Sequence, residues 1–388
     1  MTKSNDKKVP ALRFKGFTDD WEQRKFESLI YPEKIKNKNN LQLPAYSISN
    51  KNGFIAQTDQ FGKDNTYSKT DKKTNYIVNP GAFAYNPARI NVGSIGYQNL
   101  ATPVLVSSLY EVFKTNSQIN DLFLIYWFKT DKFFNQIKKY EEGGVRQYYF
   151  LDKLLFSEII IPKDAREQQK ISKILKKLDY LFSLQQRKLK LFDQLRKTLL
   201  EYLISEQKIP IVRFNSFRKE WKVFRLQNLI IKTTKGKAKA DMVGNRSIYL
   251  DTAYLNGGAL STVDAPTDVY KDDIVILWDG SLAGKVYHGF SGALGSTLKS
   301  FTPKYSGEYL FQYLQRSQEK IFKNYRTPNI PHVVKDFITI FKVNAPSLEE
   351  QNKISTILES IDLLIDNQNT KIKKWKKIKE HLLQKMFI

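Results

Sequence analysis

Two copies of one segment decide the fold: VPALRFKGFTDDWEQRKFESLI at residues 9–30 and IPIVRFNSFRKEWKVFRLQNLI at residues 209–230. They align without a gap at a constant offset of 200 and share the pattern Pro-x-x-Arg-Phe-x-x-Phe-x-x-x-Trp. The matched residues are Pro10, Arg13, Phe14, Phe17 and Trp21 in the first copy and Pro210, Arg213, Phe214, Phe217 and Trp221 in the second. Self-similarity at this distance indicates two copies of one architecture.

A second match follows each copy. Residues 167–203 align with residues 350–386 at an offset of 183, with fourteen identities in thirty-seven positions, where composition alone would give roughly two or three. The intervening regions, 31–160 and 231–343, show little likeness, and the second is shorter because the offset falls from 200 to 183 across it. The plan is therefore variable, constant, variable, constant. The simple alternative is two tandem domains of one fold, in which the repeat has no functional role.

The second match has the pattern of a long helix. Apolar residues recur at spacings of four and three, without an internal Gly or Pro, which is a heptad seam. The seam residues are Ile171, Leu175, Leu178, Phe182, Gln185, Leu189, Phe192, Arg196, Leu199 and Leu203, repeated 183 positions later as Ile354, Leu358, Ile361, Ile365, Gln368, Ile372, Trp375, Lys379, Leu382 and Met386. Pro162 precedes the first helix, and Pro346 with Ser347 as N-cap precedes the second. Each helix spans roughly 60 Å.

The polar seam residues favour an antiparallel helix pair. A parallel pair would place Arg196 opposite Lys379, two cations in an apolar interface. An antiparallel pair places Arg196 near Ile361 and Lys379 near Leu178, where each charged head can reach solvent. This makes the molecule pseudo-two-fold and brings Ile388 close to Val9. The helices are either a ruler that sets the spacing of the two domains or a plain core hairpin. The lysines of the second helix form either a solvated surface or a site for an acidic partner.

Composition and charge restrict the function. The 388 residues carry 63 Lys+Arg against 39 Asp+Glu, a net charge of +24 with a pI near 9.7, which indicates a polyanionic partner. The hydrophobic fraction of 41% indicates a folded protein. With no Cys and three separated histidines, disulfide frameworks, zinc fingers and thiol nucleophiles are excluded. Signal-peptide and membrane-span patterns are absent, so we expect a cytoplasmic protein with no membrane partner.

Both variable regions have the pattern of mixed α/β domains. We predict strands at 43–49, 75–78, 82–85 and 273–278 and helices at 119–140 and 308–324. Polar and glycine-rich loops follow at 86–96 and 279–285, and a second pair of loops lies at 143–149 and 325–332. Arg, Gln, Asn and Tyr on such loops can read base edges and stack on bases. The candidate DNA-binding residues are Tyr85, Asn86, Arg89, Asn91, Ser94, Arg146, Gln147, Tyr148, Lys235, Asp279, Ser281, Lys285, Arg326, Asn329 and His332.

Motifs for catalysis are lacking. The sequence contains no phosphate-cradling loop and no dinucleotide-binding glycine pattern. The nearest indication of a metal-dependent nuclease is a group of acidic residues. A position at a strand edge between turns explains these residues more simply. The acidic residues are Asp268, Asp272, Asp273 and Asp279, with Lys285. We therefore predict no catalytic residue and no bound metal.

Taken together, the motifs resemble the DNA-specificity subunit of type I restriction-modification systems. The resemblance covers the whole chain. It rests on the repeated opening motif, the turn at 79–81, the segment 89–94, and the two helix starts at 167–171 and 350–354. It implies two target recognition domains, 1–160 and 206–343, and two conserved spacer helices, 161–205 and 344–388. The expected fold is two globular α/β domains joined by two long antiparallel coiled-coil helices.

The resemblance also implies partners. In that family each recognition domain reads one half of a split, asymmetric sequence in double-stranded DNA. The helices dock two modification subunits, adenine-N6 methyltransferases that use S-adenosylmethionine, and two restriction subunits use ATP and Mg²⁺ to cleave. The chain itself is expected to be non-catalytic and to bind no cofactor. The alternatives are a coiled-coil scaffold for protein partners and a self-sufficient nuclease.

Overall fold

The computed structural model describes residues 9–61, 72–140 and 148–388. They divide into two compact units, one of Met1–Gln185 with Lys371–Ile388 and one of Gln186–Thr370. Each long helix contributes one part to each unit. Both units are mixed α/β, as the sequence predicts.

The first unit contains eleven short strands and, among the described residues, the start of the first long helix. The strands are β1 (Glu22–Lys25), β2 (Ile30–Pro32), β3 (Ile35–Lys36), β4 (Tyr46–Ser49), β5 (Gly53–Ala56), β6 (Tyr76–Val78), β7 (Phe83–Tyr85), β8 (Ile95–Tyr97), β9 (Val104–Val106), β10 (Glu111–Thr115) and β11 (Glu158–Ile161). The helices are α1 (Gln57–Phe61), α2 (Asp121–Trp127), α3 (Asp131–Tyr140), α4 (Leu151–Phe156) and α5 (Ala165–Leu203).

The second unit repeats this plan with different loops. Its strands are β12 (Lys222–Arg225), β13 (Ile230–Lys235), β14 (Val243–Leu250), β15 (Thr262–Val263), β16 (Ile274–Leu277), β17 (Val286–Tyr287), β18 (Ala293–Leu294), β19 (Leu298–Pro303) and β20 (Lys342–Ala345). Its helices are α6 (Thr252–Leu255), α7 (Gly307–Arg316), α8 (Gln318–Asn324), α9 (Phe337–Ile340) and α10 (Leu348–Lys385).

The sheets correspond between the units. A four-stranded antiparallel sheet has the order β2-β10-β7-β8 in the first unit and β13-β19-β16-β17 in the second. A two-stranded ribbon, β1-β11 or β12-β20, joins the end of the opening motif to the strand before the long helix. The variable regions therefore share a core topology that their sequences do not reveal.

The helix predictions are correct in position and wrong in continuity. The predicted helix at 119–140 is α2 and α3, and the predicted helix at 308–324 is α7 and α8. Buried Thr130 stands at the first break, where its Oγ1 donates to the carbonyl of Trp127 (2.7 Å). Such a side-chain bond competes with helical hydrogen bonding.

The antiparallel prediction is confirmed inside each unit. In the first, Lys379 Nζ on α10 lies 2.5 Å from Asp179 Oδ1 on α5. In the second, Arg196 Nε on α5 lies 2.9 Å from Asp362 Oδ1 on α10. The two aspartates occupy equivalent positions of the two copies, at the same offset as the seam residues. Each charged head is paired with a carboxylate beside its predicted neighbour, and its side chain keeps partial exposure, 26% for Lys379 and 16% for Arg196.

Burial follows the predicted seam. All twelve apolar seam residues named as site residues are buried or half-buried, while exposed residues lie between them. The core of the first unit contains Ile171 and Leu175 of α5 together with Leu383 from the end of α10 and Met386 and Phe387 just beyond it. The helix packing is therefore continuous with the domain core. The Leu12 amide donates to the Lys385 carbonyl (2.9 Å), so the C-terminus lies beside the opening motif as predicted.

Candidate nucleic-acid interface

A buried ion pair fixes each opening motif to its helix. Arg13 donates from Nε and Nη2 to the two carboxylate oxygens of Glu167 (2.7 and 2.9 Å). Arg213 makes the same pair with Glu350 (2.8 and 2.8 Å). Both glutamates are 1% exposed. Two parallel charge-assisted bonds fix distance and orientation together, and the hydrogen bond to Glu167 raises the pKa of Arg13.

Neighbouring contacts repeat in the same way. Lys170 Nζ lies 5.0 Å from the centre of the Phe17 ring, and Lys353 Nζ lies 4.9 Å from that of Phe217. These are cation–π distances. Each clamping arginine also donates to a carbonyl six residues on. We call each Arg–Glu pair, together with these contacts, a clamp. The clamps join the opening motifs to the long helices and include no residue of the predicted loops.

In the second unit, the predicted loops meet. The Gly280 amide donates to the Pro331 carbonyl (2.9 Å), and Asp279 forms a β-bridge with His332. Arg326 donates from Nη1 to the carbonyl of Ser281 (3.1 Å). Loop 279–285 and loop 325–333 are therefore one surface. The sequence placed candidates on both loops without showing that they touch.

The tip of the second loop is held rigidly. Thr327 Oγ1 donates to the Ile330 carbonyl (2.5 Å), and His332 Nδ1 lies 3.0 Å from the same oxygen. Pro328 and Pro331 restrict the backbone on either side. As a result, Asn329 and Ile330 project to solvent, and Ile330 is 77% exposed.

A pair of lysines lies beside this surface, of which the sequence analysis named Lys235 and missed Lys299. Lys299 Nζ stands 3.3 Å from the centre of the Trp278 ring, at the start of loop 279–285. Lys299 pairs in register with Lys235 across β13 and β19. Burial, reinforced by the charge of Lys235, lowers the pKa of Lys299. No sequence pattern marks Lys299, because its neighbours are set by strand register.

In the first unit, the corresponding loop is built differently. Residues 86–94 contain a 3₁₀ turn at Ile90–Val92, which ends at Gly93 in the left-handed region (φ 86°). Arg89 and Asn91 are exposed on this turn, and Asn86 is half-buried. The Tyr149 amide donates to the Pro87 carbonyl (3.1 Å), so the segment after 143–147 meets this loop as its counterpart does in the second unit.

Two predicted DNA-binding residues are placed in the interior. Tyr85 is 0% exposed, because β7 is an inner strand of its sheet and burial extends over all three of its residues. Ser94 is 3% exposed, and its Oγ donates to the Ile48 carbonyl (2.7 Å). The structure therefore places both side chains in the core and not on the exposed surface of the loop.

The remaining candidates are placed as follows. Tyr148 is half-buried and stacks on Phe150 at 5.4 Å between ring centres. Lys285 Nζ bonds Asn256 Oδ1 (2.5 Å) and lies over Tyr287, so its charge is already engaged. Asp279, Ser281 and Asn329 are exposed. Arg146 and Gln147 lie outside the described residues.

Two of the four acidic residues considered for a nuclease accept hydrogen bonds from backbone amides. Asp268 Oδ1 accepts the Leu294 amide (2.8 Å), and Asp273 Oδ2 accepts the Tyr270 amide (2.9 Å). Over residues 9–61, 72–140 and 148–388, no group of three or more His, Asp or Glu side chains is arranged to hold a metal ion. Within the same ranges, no helix has the length and apolar character needed to cross a membrane.

Comparison with known proteins gives a consistent assignment. A family model described as the type I restriction modification DNA specificity domain matches residues 18–191 and 218–377. The specificity subunit of the type I restriction enzyme MjaVIII from Methanocaldococcus jannaschii is 35% identical over 179 residues, which is 43% of this chain and 42% of the relative. The aligned part is thus less than half of that relative's length.

Solved structures share the architecture. The S subunit of a type I restriction-modification system from M. genitalium superposes with a TM-score of 0.63 at 16% identity, covering 98% of this chain and 99% of that chain. The HsdS subunit from Thermoanaerobacter tengcongensis gives a TM-score of 0.50 at 15% identity, covering 96% and 97%. At these identities the likeness shows the fold alone.

Proposed function

Because this chain belongs to the type I restriction-modification DNA specificity family, we propose that it reads an asymmetric two-part DNA sequence, one part with each variable domain. In this proposal loops 86–94 and 148–150 serve one half-site, and loops 279–285 and 325–333 serve the other. The chain contributes recognition and no catalytic group.

One observation carries the proposal: the same clamp and the same sheet order hold two loops of different chemistry. The first loop exposes Arg89 and Asn91 on a 3₁₀ turn. The second exposes Asp279 and Ser281 beside Asn329. Arginine favours guanine, asparagine favours adenine, and a carboxylate accepts from cytosine. Two readers with different donors and acceptors require two different half-sites, so the target is not palindromic.

We further propose that the long helices carry the partner subunits. On α5, apolar side chains outside the seam are exposed: Leu191, Leu195 and Tyr202 in the second unit and Tyr180 and Leu184 in the first. They recur at spacings of four and seven, which places them on one stripe of the helix. Modification subunits that use S-adenosylmethionine, and restriction subunits that use ATP and Mg²⁺, are the partners expected for such a complex.

The experiment that tests this function is co-expression of the chain with a matching modification subunit in a host without adenine methylation. Genomic DNA is then sequenced for N6-methyladenine. We expect a split, asymmetric motif that disappears when this chain is omitted. An assembled complex that yields no motif would contradict the proposal and favour a protein-binding scaffold, since the exposed stripe on α5 would still bind partners.

A further inference from the structure

An element common to both variable regions lies outside the loops. Lys34, Lys36 and Lys38 form a K-x-K-x-K segment shortly after the first opening motif, and Lys235, Lys237 and Lys239 form a second one at an offset of 201. We call these the lysine segments. The surrounding variable sequences are unlike, yet the lysines recur in nearly the same place relative to the repeated motif.

Each lysine segment combines exposed lysines with a buried neighbour. All six lysines are exposed. Between them, Asn37 and Ala238 are buried, at 0% and 3% exposure. Asn37 is anchored inward, because its Nδ2 donates to the Leu41 carbonyl (3.0 Å) and its Oδ1 accepts the Leu41 amide (2.8 Å). The chain turns at Asn37, because the Lys38 amide donates to the Lys36 carbonyl (2.9 Å). In the second segment, β13 ends at Lys235.

The backbone under the second segment is fixed. A Cβ added at Gly236 would lie 1.9 Å from the Gly295 carbonyl oxygen, so only glycine allows this approach. The amides of Lys237 and Ala238 both donate to the Leu294 carbonyl (3.0 and 2.9 Å). The side chains of Lys235 and Lys237 are therefore presented by a rigid edge rather than by a free loop.

Each lysine segment begins two strands from a reading loop. Lys235 pairs with Lys299, which pairs with Ile276 on β16, the strand that leads into loop 279–285. In the first unit, Lys34 Nζ lies 2.5 Å from Glu111 on β10. Glu111 pairs with Tyr85, directly before loop 86–94. Two strand spacings are ~10 Å, close to the ~12 Å width of the DNA major groove.

We propose that the two lysine segments bind the DNA phosphate backbone, one segment beside each half-site, while the neighbouring loop enters the groove. The inference rests on the proposed function and adds to it the elements that supply sequence-independent affinity. Phosphate contacts fix position and register and carry no sequence information.

The test removes charge from one segment at a time in the full-length chain. Lys235, Lys237 and Lys239 are changed to Gln, and binding to a random-sequence 40-base-pair duplex is titrated from low to high KCl. We expect the slope of log Kd against log salt to fall by about 2–3, since each released phosphate contact accounts for about 0.9. In the first unit, Lys36→Gln with Lys38→Gln spares the Lys34–Glu111 pair and is expected to lower the slope by about 2.

A matched control removes equal charge elsewhere. Lys208, Lys219 and Lys222 are exposed and lie near the second clamp, and changing them to Gln is expected to alter the slope by less than about 1. Replacing the segment lysines by Arg should preserve the slope, which separates charge from folding. The inference is overturned if the Gln variants lose no more slope than the control. If the wild-type chain binds no duplex, the proposed function itself is contradicted.

Discussion

The clamps and the reading loops make an informative comparison. The same bidentate pair joins Arg13 to Glu167 in the first copy and Arg213 to Glu350 in the second, with Nε–Oε1 distances of 2.7 and 2.8 Å. The variable regions differ in length, yet the clamp has the same geometry in both copies. The loops instead differ in conformation, charge and partners. We call the clamps, the shared sheets and the long helices the frame. The residues of the frame are thus distinct from the residues exposed for recognition.

Breaking a clamp should have the largest effect on stability. Glu350→Ala leaves Arg213 without its buried partner and also removes the acceptor of Trp221 Nε1 (3.3 Å). Removing one member of a buried ion pair costs about 3–5 kcal/mol. We expect a loss of that size in the free energy of unfolding, measured by denaturant titration of the full chain.

The adjacent Glu349 provides the control for this clamp variant, because its side chain is 72% exposed. Glu349→Ala should change the free energy of unfolding by less than about 0.5 kcal/mol. Equal losses in the two variants would show that the clamp is not a special feature of the frame.

Loop variants should show the opposite behaviour. Arg89 is exposed on the first loop and Asn329 on the second. Arg89→Ala is expected to weaken discrimination at one position of the first half-site by about 1–3 kcal/mol, with little change in stability. Asn329→Ala should act only on the second half-site. Competition binding with half-site variants measures both effects.

Arg225, exposed on β12 of the frame, is the matched control for the loop variants. Arg225→Ala should leave both half-sites unchanged. A loop variant that relaxed both half-sites equally would contradict the assignment of one domain to each.

A smaller effect should distinguish the two helix contacts. Arg196 bonds both oxygens of Asp362 (2.9 and 3.2 Å) and also the amide oxygens of Gln312 and Gln315, whereas Lys379 is a point charge beside Asp179. Double-mutant cycles should give a coupling of about 1 kcal/mol for Arg196–Asp362 and about 0.5 kcal/mol for Lys379–Asp179, both reduced by solvent access. A larger coupling for the lysine pair would contradict the geometric reasoning.

Much of the frame could be predicted from the sequence. Constant offsets identified the repeat, and the heptad spacing identified α5 and α10, because long periodic elements carry many consistent residues. The placement of Arg196 and Lys379 in the seam also gave the antiparallel arrangement. Their carboxylate partners, Asp179 and Asp362, were missed. These aspartates recur at the same offset of 183 as the seam residues, which was a usable signal.

The recognition surface was harder to predict. Loops 279–285 and 325–332 were both marked by their composition, but their contact depends on strand register and tertiary packing. Tyr85 was wrongly assigned because an aromatic residue at a strand end can point to solvent or to the core, and composition does not distinguish these. Lys299 and Ile330 carry no local pattern that separates them from other surface residues.

The central claim is that one frame holds two independent readers. The most direct measurement replaces residues 31–160 with residues 231–343, so that both copies carry the second variable region. N6-methyladenine is then sequenced in DNA modified by the assembled complex. The account predicts that the asymmetric motif becomes an inverted repeat of the second half-site. An unchanged motif, or a motif in which the second half-site is also altered, would contradict it.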